Sequence, residues 1–211
     1  MSDSDYFATR YTPDPRRRAV WRHIARYLQR WISPTSDVLE LGAGYCDFSN
    51  AIGAGSRTAI DREPSFAKFA EAGVVTAIGP CTDLSQFTDA SFDVVFASNL
   101  FEHLEGGALL ATLGEIRRVL RSGGRLILVQ PNYRLRPQEY FDDYTHVTVF
   151  TDRSLPDMLE ANGFAREHVE ARFLPLTLKS RLSFGHRLVP LYLRLPWRPL
   201  AGQMLVIAIR R

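Results

Sequence analysis

The stretch VLELGAGYCDFS, from Val38 to Ser49, gathers residue types that could do chemistry: an apolar run ends in Glu40 and turns through Gly42 and Gly44. A second apolar run, RTAID, ends in Asp61, 21 residues after Glu40. An acidic residue about 20 positions beyond a glycine turn is the spacing that a βαβ unit imposes on a nucleoside-binding loop. Glycines in such a turn let the backbone pass close beneath a ligand, because no Cβ stands in the way. The phosphate loop GxxxxGK[ST] is absent. In a dinucleotide fingerprint the third glycine would fall on Asp47, so a pyrophosphate would meet Glu40 and Asp47 where neutral N–H groups are wanted. Those carboxylates suit a ligand that has no phosphate but carries a sulfonium and an ammonium, such as S-adenosylmethionine. Asp61 would then accept from the ribose hydroxyls. The competing readings are an NAD-dependent oxidoreductase, a plain tight turn at Gly42 and Gly44, and a helix cap at Asp61.

A second group of polar residues lies further along. His146 follows Asp142 and Asp143 in YFDDYTHVTVF, and His103 stands in FEHL. Histidine, with an ordinary pKa of ~6.5, is neutral yet basic near pH 7 and suits removal of a proton from a hydroxyl. His146, oriented by Asp143 or Asp142, is the first candidate base and His103 the second. No metal is expected, since adjacent aspartates point in different directions on most backbones. Cys46 and Cys81, the only cysteines, show no zinc or disulfide spacing and read as packing residues in a reducing compartment.

These residues need elements to hold them. Apolar positions spaced three and four apart (Val20, Ile24, Tyr27, Leu28, Trp31) predict a helix over Arg16–Trp31. Strands are expected at DVLELG, RTAID, VVTAIG (74–79), FDVVFAS (92–98) and GGRLILVQP (123–131). Helices are expected from Phe48, over 64–72, over 108–121 and over 152–162, the last stopping at Gly163. FAREHVEARF and QMLVIAIRR supply two closing strands. Strands alternating with helices at this pitch indicate an α/β fold, a doubly wound and mostly parallel sheet with helices on both faces. Ligands bind such sheets at the carboxyl ends of the strands, where Glu40, Asp61, Ser98 and Asn99 all fall.

Four segments in this order, VLELGAGYCDFS, AIDREP, FTDASFDVVFASNLFEHL and RVLRSGGRLILVQPN, resemble the class I S-adenosylmethionine-dependent methyltransferases, of the type 11/23 small-molecule kind. A fifth, HVTVFTDRSLPDMLEANGF, is similar to the H-x-x-x-F-T, helix and G-F stretch that follows the fifth strand in many members. The likeness spans roughly residues 35–165. It implies a Rossmann-like, seven-stranded sheet whose final strand is antiparallel. It also implies that Glu40, Gly42 and Gly44 line the methionine and ribose, that Asp61 holds the ribose diol, and that Ser98 and Asn99 face the methyl donor. The family's adenine segment often carries Gly-Asp-Ala where this chain has Pro80, Cys81 and Thr82. Without the usual Asp, the adenine contact passes to Thr82 through its backbone, with Asp83 as a substitute. Asn99 has the alternative of capping the next helix.

Composition fits a single soluble domain over 1–211, with an N-terminal cap helix (1–32), a cofactor core (33–165) and an insertion (174–201) between the last two strands. The net charge of +3 conceals basic ends, +4 over 1–32 and +7 over 164–211, around a middle of −8. No signal peptide or spanning segment is evident, so a cytoplasmic location is expected. The acidic middle holds the site and no aromatic-proline motif for base methylation is present, so a nucleic-acid substrate is not expected. The insertion, rich in Leu, aromatics and Arg, could form a lid, a partner surface or a peripheral membrane contact. Tyr6, Phe7, Arg10 and Tyr11 suggest a further cap over the site. The expected activity is methylation, oxygen favoured, of a small-molecule, glycan or lipid-linked acceptor. A non-catalytic S-adenosylmethionine-binding protein is the alternative of a different class, and the oligomeric state is left open.

Overall fold

The computed structural model describes residues 15–176 and 188–211. The cap residues proposed at Tyr6, Phe7, Arg10 and Tyr11 therefore lie outside the described residues, as does Phe184 of the insertion. Seven strands form one sheet in the order β3-β2-β1-β4-β5-β7-β6. They are β1 (Asp37–Leu41), β2 (Ser56–Asp61), β3 (Val74–Ile78), β4 (Phe92–Ser98), β5 (Leu120–Pro131), β6 (Phe164–Pro175) and β7 (Ala201–Arg210). The first five strands run parallel, and β7 lies antiparallel between β5 and β6. The helices are α1 (Pro15–Leu28), α2 (Asp47–Ala51), α3 (Gly106–Val119), α4 (Pro137–Tyr140), α5 (Ser154–Ala161) and α6 (Val189–Arg194).

Alternate side chains of the central strands point to opposite faces, as the pleat requires. On one face Val38, Val94, Phe96, Ile127 and Val129 pack with Val20, Trp21, Ile24 and Leu28 of α1, Phe48 of α2 and Leu193 of α6. On the other, Leu39, Leu41, Val95, Leu126 and Leu128 pack with Leu109, Leu113 and Ile116 of α3 and Leu155 and Leu159 of α5. Phe48 stacks on Phe96 at 3.8 Å between ring centroids, and Trp21 meets the same ring edge-on at 6.1 Å. Aromatic pairs of this kind add roughly 0.5–1.5 kcal/mol beyond the area they bury. They fix α1 and α2 beside the glycine turn.

Two local expectations change. The helix expected over 64–72 is a 3₁₀ turn, Pro64–Phe69, whose start is held by the Glu63 side chain accepting from Ser65 N–H at 3.1 Å. The fifth strand begins at Leu120, three residues before the glycine turn, because Leu120 pairs with Phe92 before the register shifts through Gly123 and Gly124. Residues 79–91, which link β3 to β4, hold neither helix nor strand. Arg118 anchors that link by donating to Phe87 O (2.9 Å) and Leu84 O (2.8 Å) while pairing with Glu115 and Asp89. The strand order reverses between β1 and β4, and a doubly wound sheet opens its ligand crevice at such a switch point.

Candidate functional site

The crevice at the carboxyl ends of β1 and β4 is built first by the glycine turn. Gly42 and Gly44 take φ of +62° and +51°, the left-handed region that favours glycine. A Cβ at Gly42 would also come within 3.1 Å of the Leu100 side chain, so another residue here would carry a strained torsion and press that side chain aside. Cys46 adopts φ +54° at the start of α2. It is buried, and burial together with the Glu40 carboxylate pushes its thiol up to about 12, which keeps it an unreactive packing group.

Glu40 lies beneath the turn with 5% of its surface exposed and accepts from Ser49 N–H at 3.0 Å and from the Ser49 hydroxyl. Burial raises its carboxyl to about 8, against the lowering effect of Ser49. A cation nearby would favour its charged form. Asp47, also buried and raised by burial, pairs with Arg17, which reaches over from α1 and lies 5.5 Å from the Tyr45 ring centre. Asp61 holds the turn from the next strand: Oδ2 accepts from Gly44 N–H at 2.9 Å and Oδ1 from Glu63 N–H at 2.9 Å. An ionised carboxylate has about four acceptor positions, so these bonds leave capacity for ribose hydroxyls. The turn thus offers a cradle without Cβ atoms, acids for a cationic ligand and an acceptor for a diol, which fits S-adenosylmethionine.

The segment that carries Thr82 leaves the sheet beside this rim, where Gly79 N–H donates to Asp61 O at 3.0 Å. Asp83 is exposed, and Ser85, through its hydroxyl and then through its N–H at 3.0 Å, holds the Asp83 carboxyl below the usual range. At the end of β4, Asn99 is exposed in a left-handed conformation, φ +49°. Its side chain does not cap the short turn that follows; Oδ1 instead accepts from Gln203 Nε2 at 3.0 Å. Gln203 sits at the start of β7 and was not singled out in the sequence, because 104 residues separate it from Asn99.

The two candidate histidines are brought together. Their ring centroids lie 4.9 Å apart, edge to face, between the turn after β4 and the segment after α4. His146 Nδ1 meets Tyr140 O at 2.5 Å; a carbonyl only accepts, so Nδ1 carries the proton and Nε2 the lone pair. Asp143 Oδ1 accepts from the Thr145 hydroxyl at 2.6 Å. That hydroxyl must therefore accept, at 2.9 Å, from His103 Nδ1–H, which also lies 3.2 Å from Thr145 O. Both tautomers are inferred from these bonds. Asp143 thus acts on His103 through Thr145, and the ring of His146 is oriented by Tyr140.

Beneath the pair lies a residue that the sequence did not mark. Glu102 is fully buried, its Oε1 lies 3.9 Å from His146 Nε2, and neither carboxyl oxygen has a hydrogen-bond partner among the described residues. Burial, reinforced by Asp143, raises this acid to about 8, while burial and His146 lower His103. Glu102, His103 and His146 each place one donor atom within 4.8 Å of the others, a set that could also hold a divalent cation. The FEHL motif was the available signal, and only tertiary packing reveals that its Glu faces inward.

Comparison with known proteins agrees with this geometry. The sheet order and crevice are those of the Rossmann-like methyltransferase fold. A protein of Pyrococcus horikoshii superposes with a TM-score of 0.69 at 18% identity, covering 98% of this chain and 99% of the other. A SAM-dependent methyltransferase of Archaeoglobus fulgidus gives 0.62 at 20% identity, covering 90% and 94%. A chain from the complex of the Haloferax volcanii Trm112 methyltransferase activator with a methyltransferase gives 0.67 at 16% identity, covering 91% and 90%. No curated protein matches the chain. Residues 39–128 match the family model of the methyltransferase domain. Residues 39–128 thus form a methyltransferase domain, the chain around them has the Rossmann-like fold of S-adenosylmethionine-dependent methyltransferases, and S-adenosylmethionine is the cofactor that this domain implies.

Proposed function

We propose that the protein methylates a hydroxyl of a small-molecule, glycan or lipid-linked acceptor. The observation that carries this reading is the histidine pair over a buried acid, beside the end of β4. S-adenosylmethionine supplies a methyl group on a sulfonium, and a hydroxyl acceptor must lose its proton as it attacks. His103 and His146 both carry their ring proton on Nδ1, so each presents a basic Nε2. His146 is the proton acceptor in this reading, and Glu102, 3.9 Å from its Nε2, balances the imidazolium once it has released the proton that burial makes it hold to about 8. Asp143 and Thr145 hold His103 in the same tautomer, so that it can share the proton. Glu40, Gly42, Gly44, Asp61, Thr82, Ser98 and Asn99 form the cofactor side of the crevice.

Single-turnover transfer to a panel of hydroxylated acceptors tests this. His146→Ala is expected to slow transfer by roughly 10²–10⁴-fold, the usual contribution of a positioned base. His103→Ala should slow it less, and cofactor affinity should hold in both. Unchanged rates in both variants would remove the histidine base, and absence of turnover with every acceptor would favour a cofactor-binding protein without catalysis. Activity should survive chelators; its loss on chelation would reassign the cluster to a cation.

A further inference from the structure

We propose that residues 188–200 seat the enzyme on an anionic bilayer surface. The short helix α6 and the chain after it are apolar on two sides. Inward, Leu193 is buried and Val189 and Tyr192 pack with the core that α1 covers. Outward, Leu188, Leu191 and Leu195, spaced three and four apart, fall within one narrow stripe, and all three are exposed, Leu191 by 61%. Trp197 and Leu200 extend that surface, with 63% and 71% of their area in solvent. Five large apolar side chains exposed within 13 residues form a contiguous stretch of a kind that a soluble surface seldom leaves uncovered.

Charge selects the occupant. From Ala171 to Arg211 the chain holds eight Lys and Arg and not one Asp or Glu, and of these Arg198 is buried against Glu170 and Arg210 is tied to the Leu120 carbonyl, so neither adds to the surface charge. Exposed Arg194 lies within the apolar stretch, and the Arg172 guanidinium stands 5.2 Å from the Trp197 ring centre. Helix α1, which packs against α6, adds exposed Arg22 and Arg26. Leucine and tryptophan interleaved with arginine match the boundary between acyl chains and anionic headgroups, where Trp settles and each basic residue adds attraction. An apolar protein partner would give no role to a tract wholly lacking acids.

The placement connects this surface to the site. Residues 188–200 lead directly into β7, whose Gln203 pairs with Pro131 at the carboxyl end of β5. The same Gln203 donates to Asn99 at the end of β4 and lies 3.4 Å from the Leu176 carbonyl, where the insertion departs. The seat therefore adjoins the crevice rim, and a lipid-linked acceptor is the substrate class that would use it. That last step rests on the methyl-transfer reading above; membrane seating does not.

Cosedimentation with vesicles tests the proposal. The full chain should pellet with vesicles of mixed phosphatidylglycerol and phosphatidylcholine, and at least about tenfold less with phosphatidylcholine alone, with binding that weakens as salt rises. The double variant Leu191→Glu and Trp197→Glu should lose at least about tenfold in partitioning while keeping its S-adenosylmethionine affinity by calorimetry, which shows that it is folded. Failure to pellet with the anionic vesicles, or equal pelleting of the double variant, overturns the proposal. So does a concentration-dependent dimer that the double variant disperses, since that would assign the face to a second copy. Transfer to a soluble acceptor, measured separately, stands or falls with the histidine pair.

Discussion

Replacing Glu102 by Gln removes a titrating acid while keeping its shape, and the structure sets the size of the effect. The unfolded chain releases this proton near the ordinary value of 4.5, whereas the folded chain holds it to about 8. Between those values the folded state binds more protons than the unfolded state, so unfolding free energy falls as pH rises through that window. At 1.36 kcal/mol for each pH unit, the window amounts to on the order of 5 kcal/mol at most. Glu40 follows the same course, with a carboxyl also raised to about 8, so the wild-type curve alone would mix the two. The difference between Glu102→Gln and wild type isolates Glu102. Urea midpoints measured from about pH 5 to about pH 9 should show the variant gaining on the wild type as pH rises, with the gain levelling above about 8. A difference that stays constant across the range would refute the burial argument. In the same variant, methyl transfer should slow and lose any pH step near 8, because the imidazolium of His146 has no carboxylate to balance it.

Two further outcomes concern the cofactor crevice. Gly42→Ala places a Cβ within 3.1 Å of Leu100 at a φ of +62°, so cofactor affinity by calorimetry should fall at least about tenfold, with a loss of roughly 1–2 kcal/mol in stability from the left-handed torsion alone. Asp61→Ala frees the Gly44 and Glu63 N–H groups as well as removing the diol acceptor. It should therefore weaken S-adenosylmethionine binding by more than about tenfold, and Asp61→Asn, which keeps one acceptor oxygen, should recover part of that loss.

The strands were legible in the sequence because each is a short apolar run bounded by a turn, and a continuous run such as LILV can lie only where both faces are covered. The glycine turn was legible because its acids and glycines are local. What could not be read was whatever depends on distant packing. Residues 64–72 have helical composition, yet the Glu63 cap and Pro64 settle into a 3₁₀ turn. Residues 79–91 are held without helix or strand partly by Arg118, which lies beyond β4 in the sequence and donates to the Phe87 and Leu84 carbonyls. Nothing local in FEHL distinguishes Glu102 from any other acid, and only the folding of the 140–148 segment over it makes it a buried group under His146. Arg17 and Gln203 were invisible for the same reason: each meets its partner across a long stretch of chain.

Glu102 also fastens the segment that covers it. Its backbone carbonyl accepts from Val147 N–H at 2.9 Å and Thr148 N–H at 3.1 Å, while its side chain lies against His146. One residue thus both ties this segment down and holds a buried proton. Any displacement of the 140–148 segment that admits water also rehydrates the carboxyl, lowers its proton affinity and changes the charge under the imidazole. If His146 is the base proposed above, displacement of this segment and protonation of that base would move together. An acceptor that holds the segment shut would be felt as a proton taken up or released before any methyl group moves.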